Sequence, residues 1–335
     1  LILVSGATGF LGAHLVCRLL QQGKTVRAMK RSSSSMYEFN LIYNTYFGDD
    51  NKPQPEWIAA DILDVPSLDE AFAGVSEVYH CAAMVSFHQH DRDVMLQINV
   101  EGTANMVNMA LQHRVSKFCH VSSIAAIGRS GKSTEVTETT PWVASTHNTN
   151  YAISKHKAEM EVWRAAEEGL NVVIVNPGVI IGVCDWNKGT GALFKMVWDK
   201  MPFYTLGVNG YVDVKDVATA MQMLMDNNCF HERYILVGHN VMNRDFMHTT
   251  AQLLNKPKAG IRVNKWMAEL AWMVYGILGF FTGKKLKITK ETARASQNVY
   301  YYSSAKVMKQ IPFNFTPLNE TLTYICRYYL SQHTS

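Results

Sequence analysis

Tyr151 and Lys155 stand four residues apart, at the head of a run, YAISKHKAEMEVWRAAEEG, that reads as a helix closed by Gly169. At that spacing both side chains lie on one helical face and reach a common ligand. A phenol, with an ordinary pKa near ~10, transfers protons poorly at neutral pH unless a nearby cation stabilises its phenolate. Lys155 is placed to supply that charge. A third group, Ser123, follows Lys117–Val121, an apolar run that reads as a strand. Open α/β sheets bind ligands beyond the carboxyl ends of their strands, so a hydroxyl there points at the right place. Paired serines after a strand are also common punctuation, and Ser122-Ser123 gain their weight from the Tyr/Lys pair. The three residues suit one chemistry: Ser123 orients a substrate oxygen and Tyr151 passes it a proton as a hydride arrives.

The hydride needs a carrier, and the opening stretch LILVSGATGFLG offers a place for one. Leu1 to Val4 form a run long enough for a buried parallel strand, and AHLVCRLLQQG puts Leu15, Val16, Leu19 and Leu20 on one helical face, ending at Gly23. Glycines between strand and helix suit a dinucleotide. Gly6 permits the tight turn, Gly9 lets backbone approach a pyrophosphate, and Gly12 lets the helix pack close. The helix N-terminus presents free N–H groups to the phosphates, so Gly6, Thr8, Gly9, Phe10, Leu11 and Gly12 are the candidate contacts.

Other cofactor contacts belong at the ends of the following strands. The second strand, Lys24–Lys30, ends on Lys30-Arg31 and four serines, with no acid before Glu38. A carboxylate there would bind the adenosine ribose diol, whereas cations and hydroxyls suit a 2′-phosphate. NADP(H) is therefore favoured over NAD, the other reading being a solvated basic turn. After a third strand at Glu56–Ala60, Asp61 can accept from an adenine amino group beside Ile62, or else serve as a helix N-cap. The fourth strand, Val75–Ala83, ends in Cys81, Ala82 and Ala83, small enough for backbone to pass a flat cofactor. Phe87 and His88 follow in a loop over the pocket and are the substrate-side candidates. Asn99, within a long helix over Asp91–His113, is either a buried brace for this end of the sheet or an exposed helix asparagine.

The remaining residues read as positioning elements. Residues 36–55 look like a long irregular excursion ended by Pro53 and Pro55. Asn171–Asn176 is a sixth buried strand closed by Pro177-Gly178, Gly189–Met201 a helix, Gly210–Met225 a short strand passing into a helix, and Arg233–Val237 a seventh strand. Trp266–Phe281 is short for a membrane span of ~20 residues. It reads as a buried helix walling an apolar pocket, with shallow membrane contact as the alternative because Lys284, Lys285 and Lys287 follow. Tyr300, Tyr301 and Tyr302 border that pocket or fill a core.

Composition agrees with an enzyme of small molecules. The 335 residues are 47% hydrophobic, enough for a sizeable core, and the net charge is only +4. No basic run interleaved with aromatics suggests nucleic acid. The six cysteines show no metal-ligand spacing and behave as apolar residues in a reducing cytoplasm. The sequence opens inside a strand without a methionine, which implies a few preceding residues; what it contains includes no signal peptide.

With Gly6-Ala-Thr-Gly9-Phe-Leu-Gly12, Asp61-Ile62, His80-Cys-Ala-Ala83, Asn99-Val-Glu-Gly-Thr103, Ser122-Ser123, Tyr151-x-x-x-Lys155 and Asn176-Pro177-Gly178 in order, the chain resembles the extended short-chain dehydrogenases/reductases of the NAD-dependent epimerase/dehydratase superfamily. Within them it is most similar to the branch of dihydroflavonol 4-reductases and 3β-hydroxysteroid dehydrogenases. The resemblance implies an α/β fold: a Rossmann-type, doubly wound, mostly parallel sheet with a smaller C-terminal substrate-binding subdomain. Residues 1–175 plus about 211–240 would bind the nucleotide, and 176–210 plus 241–335 the substrate. It further implies that Ser123, Tyr151 and Lys155 are catalytic, that Arg31 faces a 2′-phosphate, that Asp61 and Ile62 bracket adenine, and that Pro177 lies near the nicotinamide. The helices Asp91–His113 and Tyr151–Glu168 are the pair that would form a homodimer seam.

The departures point to a substrate class. Sugar-nucleotide dehydratases of this superfamily carry an Asp-Glu pair after the catalytic hydroxyl residue, where this chain has Ile124-Ala125-Ala126. That stretch can neither eliminate water by acid/base chemistry nor grip a sugar hydroxyl. The leading expectation is NADP(H)-dependent reduction of a less polar aldehyde or ketone. An NAD-dependent nucleotide-sugar epimerase would use the same trio, and a non-catalytic NADP-sensing regulator would need no activated phenol.

Overall fold

The computed structural model describes residues 1–48, 52–129, 134–145, 148–264, 266, 267, 269, 291 and 295–333. The expected helix over Trp266–Phe281, apart from Trp266, Met267 and Glu269, and the lysines after it lie outside the described residues.

The first half alternates strand and helix: β1 (Ile2–Ser5), α1 (Phe10–Gln21), β2 (Val26–Lys30), α2 (Tyr37–Phe47), β3 (Glu56–Ala59), α3 (Val65–Phe72) and β4 (Glu77–His80). Next come α4 (Arg92–Leu96), a π turn over Gln97–Glu101, α5 (Gly102–Gln112), β5 (Lys117–Val121), β6 (Glu135–Val136) and α6 (Asn150–Glu167). Then follow β7 (Val172–Pro177), β8 (Val179–Ile181), α7 (Gly191–Trp198), β9 (Phe203–Tyr204), β10 (Val208–Asp213), α8 (Val214–Asp226) and β11 (Glu232–Leu236). The described chain closes with β12 (His239–Met242), α9 (Asn243–Leu253), β13 (Ile261–Arg262), β14 (Tyr301–Tyr302), α10 (Ala305–Gln310) and α11 (Leu318–His333).

Seven strands form one sheet in the order β11-β7-β5-β4-β1-β2-β3, and every neighbouring pair is parallel. The order reverses between β1 and β4, the place where a doubly wound sheet opens a crevice at its carboxyl edge. Helices cover both faces, which is why strands such as Val172–Pro177 are buried throughout. On one face Leu15, Val16 and Leu19 of α1 pack with Val217, Met221 and Leu224 of α8. On the other, Met106 and Val107 of α5 pack with Val162 and Ala165 of α6. A separate core, including Phe194, Tyr211, Phe246, Leu322 and Ile325, lies beside the three-stranded sheet β12-β10-β8.

Residues 36–55 are not wholly irregular, because α2 occupies Tyr37–Phe47. Phe39, Ile42 and Tyr43 are buried, and Tyr46 and Phe47 pack against the same core, giving an apolar stripe at helical spacing. Asp61 is not a helix N-cap: its Oδ1 accepts from the Leu63 N–H at 3.0 Å, while α3 starts after Asp64. Tyr302 is buried among Ile127, Val136, Ile235 and Val237, so it fills core.

Two buried histidines make acid the weak direction of this fold. His14 joins the Tyr46 hydroxyl at 2.9 Å to the Val183 carbonyl at 3.0 Å. His80 joins Ser5 Oγ at 2.7 Å to Thr103 Oγ1 at 3.0 Å. Burial lowers their pKa values to about 4 and about 3 respectively. The unfolded chain takes up these protons near ~6.5, so below that pH it binds more protons than the native state and stability falls with falling pH. Urea melts between about pH 6 and about pH 5 should show His14→Gln flattening the pH slope by up to ~1.4 kcal/mol per unit. An unchanged slope would mean that His14 is already charged in the folded protein.

Candidate active site

The glycine turn is built as its spacing predicts. Gly6 adopts φ +65, a left-handed conformation, and a Cβ there would lie 2.7 Å from the Ala82 backbone nitrogen. A Cβ at Gly12 would overlap the Gly6 carbonyl oxygen, so the close seat of α1 on this turn requires glycine at both positions. The Gly9 N–H closes the turn on the Gly6 carbonyl at 3.0 Å. Gly9 then caps α1 without a side-chain hydrogen bond, and the first helical turn carries no acid. These residues fit an anionic group: free N–H donors and the positive end of the helix dipole with nothing of like charge to the ligand beside them. Ser5 fastens this turn to the end of β4, its Oγ accepting from the Ala82 N–H at 3.2 Å.

The two halves expected of a dinucleotide site fall on opposite sides of β1. Lys30 and Arg31 end β2, and Asp61-Ile62 follow β3, on one side. Lys30 does not form a fork with Arg31: its Nζ lies 5.5 Å over the Trp57 ring. Arg31 is exposed in a turn closed by Ser34, whose Oγ accepts from the Arg31 N–H at 3.1 Å. Ile62 is buried, and its carbonyl accepts from Asn105 Nδ2 at 2.9 Å.

On the other side, β4, β5 and β7 present Cys81–Ala83, Ser122-Ser123 and Pro177-Gly178. Thr149 starts α6 by accepting from the Ala152 N–H at 3.0 Å, which fixes Tyr151 in the first turn and Lys155 in the second. The Ser123 hydroxyl accepts from the Ala125 N–H at 3.1 Å and stands beside the Tyr151 phenol, where it opposes the effect of burial on that group. Phe87 sets its ring edge-on to Tyr151, centroids 5.9 Å apart. The structure thus brings Ser123, Tyr151 and Phe87 together. His88 is half-buried one residue on, and its N–H donates to Ser86 Oγ at 3.2 Å.

Asn99 is the buried brace. Its Oδ1 accepts from the Met84 N–H at 2.7 Å, and its Nδ2 donates to the Met84 carbonyl and Ser154 Oγ, both at 2.9 Å. The expected single helix over Asp91–His113 is interrupted here by the π turn over Gln97–Glu101, which contains Asn99.

Burial holds the Tyr151 phenol above its ordinary pKa, opposed by the Ser123 hydrogen bond. Lys155 is 3% exposed, and its Nζ donates to the Val121 carbonyl at 2.7 Å. Burial brings the ammonium down to about 8, opposed by Cys81 and Glu159.

Sequence reasoning missed Glu159 and Arg233. Glu159 is fully buried on α6, four residues beyond Lys155, and pairs with Arg233 Nη1 of β11 at 3.1 Å. Its Oε2 accepts from Ser122 Oγ at 2.7 Å and from Asn176 Nδ2 at 3.1 Å. A local signal existed, since Glu159 lies among the apolar Ala158, Val162 and Ala165 of the buried face.

Comparison with known proteins places this geometry. The model of the NAD dependent epimerase/dehydratase family matches residues 2–238. A putative dihydroflavonol 4-reductase of Synechocystis is 28% identical over 95% of this chain and 91% of its own length. Sterol demethylase protein B of Methylococcus capsulatus is 30% identical over 78% of this chain and 76% of its own. The crystal structure of gox2253, 28% identical, covers 99% of this chain and 98% of its own, with a TM-score of 0.81.

Proposed function

The chain belongs to the NAD dependent epimerase/dehydratase family, and on that footing we propose that this NAD(P)-dependent oxidoreductase of the extended short-chain dehydrogenase type reduces an aldehyde or ketone with NADPH. One arrangement carries the reading: Tyr151 stands beside Ser123 at the carboxyl end of β5, with Lys155 one helical turn further along α6. Bound NADPH supplies the hydride. Ser123 orients the carbonyl oxygen, and Tyr151 donates a proton as negative charge grows on it.

Gly6, Thr8, Gly9, Phe10, Leu11 and Gly12 hold the pyrophosphate in this reading, Asp61 and Ile62 the adenine, and Arg31 the 2′-phosphate, Lys30 being turned to the Trp57 ring. Cys81, Ala82, Ala83, Pro177 and Gly178 line the nicotinamide half, with Lys155 on its ribose. Phe87 and Ile124-Ala125-Ala126 favour an apolar substrate over a sugar. The names of the two relatives, a putative dihydroflavonol 4-reductase and a sterol demethylase protein B, support the same reading. The homodimer through α4–α5 and α6 belongs to this proposal. Among the described residues no helix is long and apolar enough to cross a membrane.

The test is consumption of NADPH and NADH across a panel of aromatic aldehydes, steroids and aliphatic ketones. NADPH should be oxidised with an apolar carbonyl and without added metal. Arg31→Asp should weaken NADPH binding by about tenfold to a hundredfold, the value of one charge-assisted phosphate contact, and leave NADH nearly unchanged. Equal losses would show that Arg31 does not touch the phosphate.

A further inference from the structure

The proposed chemistry uses Ser123, Tyr151 and Lys155, and leaves unexplained an acid buried directly behind them. Glu159 is 0% exposed and follows Tyr151 and Lys155 at intervals of four along α6, so the three share a face. Its carboxylate is bound from three strands at once: Ser122 after β5, Asn176 of β7 and Arg233 of β11. Asn176 uses the same Nδ2 to reach the Ser123 carbonyl at 3.0 Å. Arg233 is itself fixed, because its Nε donates to the Glu138 carbonyl at 2.9 Å and Glu138 Oε1 accepts from the Ile235 N–H at 2.9 Å.

A buried ion pair is a poor stabilising device, since apolar residues of similar size commonly serve a fold as well or better. This pair stands beside the apolar Ala158 and Val162 of α6, and the groups that donate to Glu159, Ser122 Oγ and Asn176 Nδ2, converge on the Ser122-Ser123 turn. Resting on the reductase reading, we propose that Glu159, anchored by Arg233, is the positioning residue that fixes Ser123 against Tyr151 and supplies the counter-charge for Lys155.

The surroundings of Lys155 support the second role. Cys81 faces it from the end of β4, but burial pushes that thiol up to about 12, so it is neutral at physiological pH. His80 of β4 and His120 of β5 also face Lys155, and burial keeps both neutral. Tyr151, one turn back, is held protonated. Glu159 in turn faces Arg233 and acts on His156, whose ring stacks on Trp142 at 4.2 Å. Among these groups Glu159 is the anion acting on the Lys155 ammonium, which burial otherwise drives toward the neutral amine.

The test follows the Lys155 titration by NMR of protein carrying 13C at the lysine ε carbons, with Lys155→Met assigning the signal. In Glu159→Gln the Lys155 midpoint should fall by about one unit or more, the effect of losing one nearby opposite charge, and the alkaline limb of the reductase pH profile should move with it. Glu159→Asp keeps the charge but retreats from Ser122 and Asn176, so the midpoint should hold while kcat drops at least tenfold. If Glu159→Gln does not fold with Arg233 left unpaired, the double variant Glu159→Gln/Arg233→Met removes both charges and should show the same midpoint shift. An unchanged Lys155 midpoint in the folded variant would overturn the counter-charge, and full kcat in Glu159→Asp would overturn the positioning role. A wild type inert toward every carbonyl would instead sink the reductase reading, with the Lys155 titration still deciding the counter-charge.

Discussion

Tyr151→Phe is expected to lower turnover by about two to four orders of magnitude, the range for loss of a positioned general acid, with a far smaller effect on NADPH binding. The substitution keeps the ring and hence its edge-on contact with Phe87. It removes the hydroxyl that Ser123 engages and with it the proton that the new alkoxide needs. Lys155 is not a ready substitute, because its ammonium is directed at the Val121 carbonyl at 2.7 Å and is confined by burial. Single-turnover rates with saturating NADPH would separate this loss from any effect on binding. Turnover retained at the wild-type level would remove Tyr151 from the chemistry.

Gly9→Val and Gly12→Val should fail in different ways. A Cβ at Gly9 meets nothing nearer than the Gly6 carbonyl oxygen at 3.4 Å, and Gly9 has φ -91, which any L-residue adopts. The folded chain should therefore keep its fold, at a cost of about 1 kcal/mol for placing valine at the N-cap of α1. NADPH binding should weaken at least about a hundredfold, because the side chain stands over the N–H donors that would hold the pyrophosphate. At Gly12 the added carbons collide with the Gly6 carbonyl, so α1 must lift from the turn. That variant should lose binding and also about 1–3 kcal/mol of stability, as for an overpacked core. Calorimetric titration with NADPH and chemical denaturation of both variants would check the contrast. Undiminished NADPH affinity in Gly9→Val would mean that the pyrophosphate does not lie on this turn.

What the sequence made legible were features whose causes are local. The glycines at 6 and 12 announce a turn because each has a steric reason at that point in a strand-turn-helix unit, whereas Gly9 is explained by the approach of a ligand and not by the fold. The buried strands announce themselves by unbroken apolar runs, and Tyr151 and Lys155 by one helical turn of spacing. The helix α2 escaped because its start is weakly marked: Met36 caps it without a side-chain bond, and Asn40, Asn44 and Thr45 are poor helix formers. Its stripe Phe39, Ile42, Tyr43, Tyr46 and Phe47 is formed by packing onto the core. The π turn that holds Asn99 carries no periodicity of its own. The partnership of Glu159 with Arg233 joins residues 74 positions apart, and only the sheet order, which sets β11 beside β7, brings them together.

The central claim is that a hydride from NADPH and a proton from Tyr151 arrive at one carbonyl group. Its most direct test is a turnover with NADPH deuterated at the transferring position of the nicotinamide, using a carbonyl that the panel identifies and mass spectrometry of the product. The account predicts an alcohol one mass unit heavier, with deuterium on the former carbonyl carbon from only one of the two C4 epimers of the cofactor. An alcohol without label from either epimer would contradict it, as would recovery of an isomerised substrate with no net oxidation of NADPH.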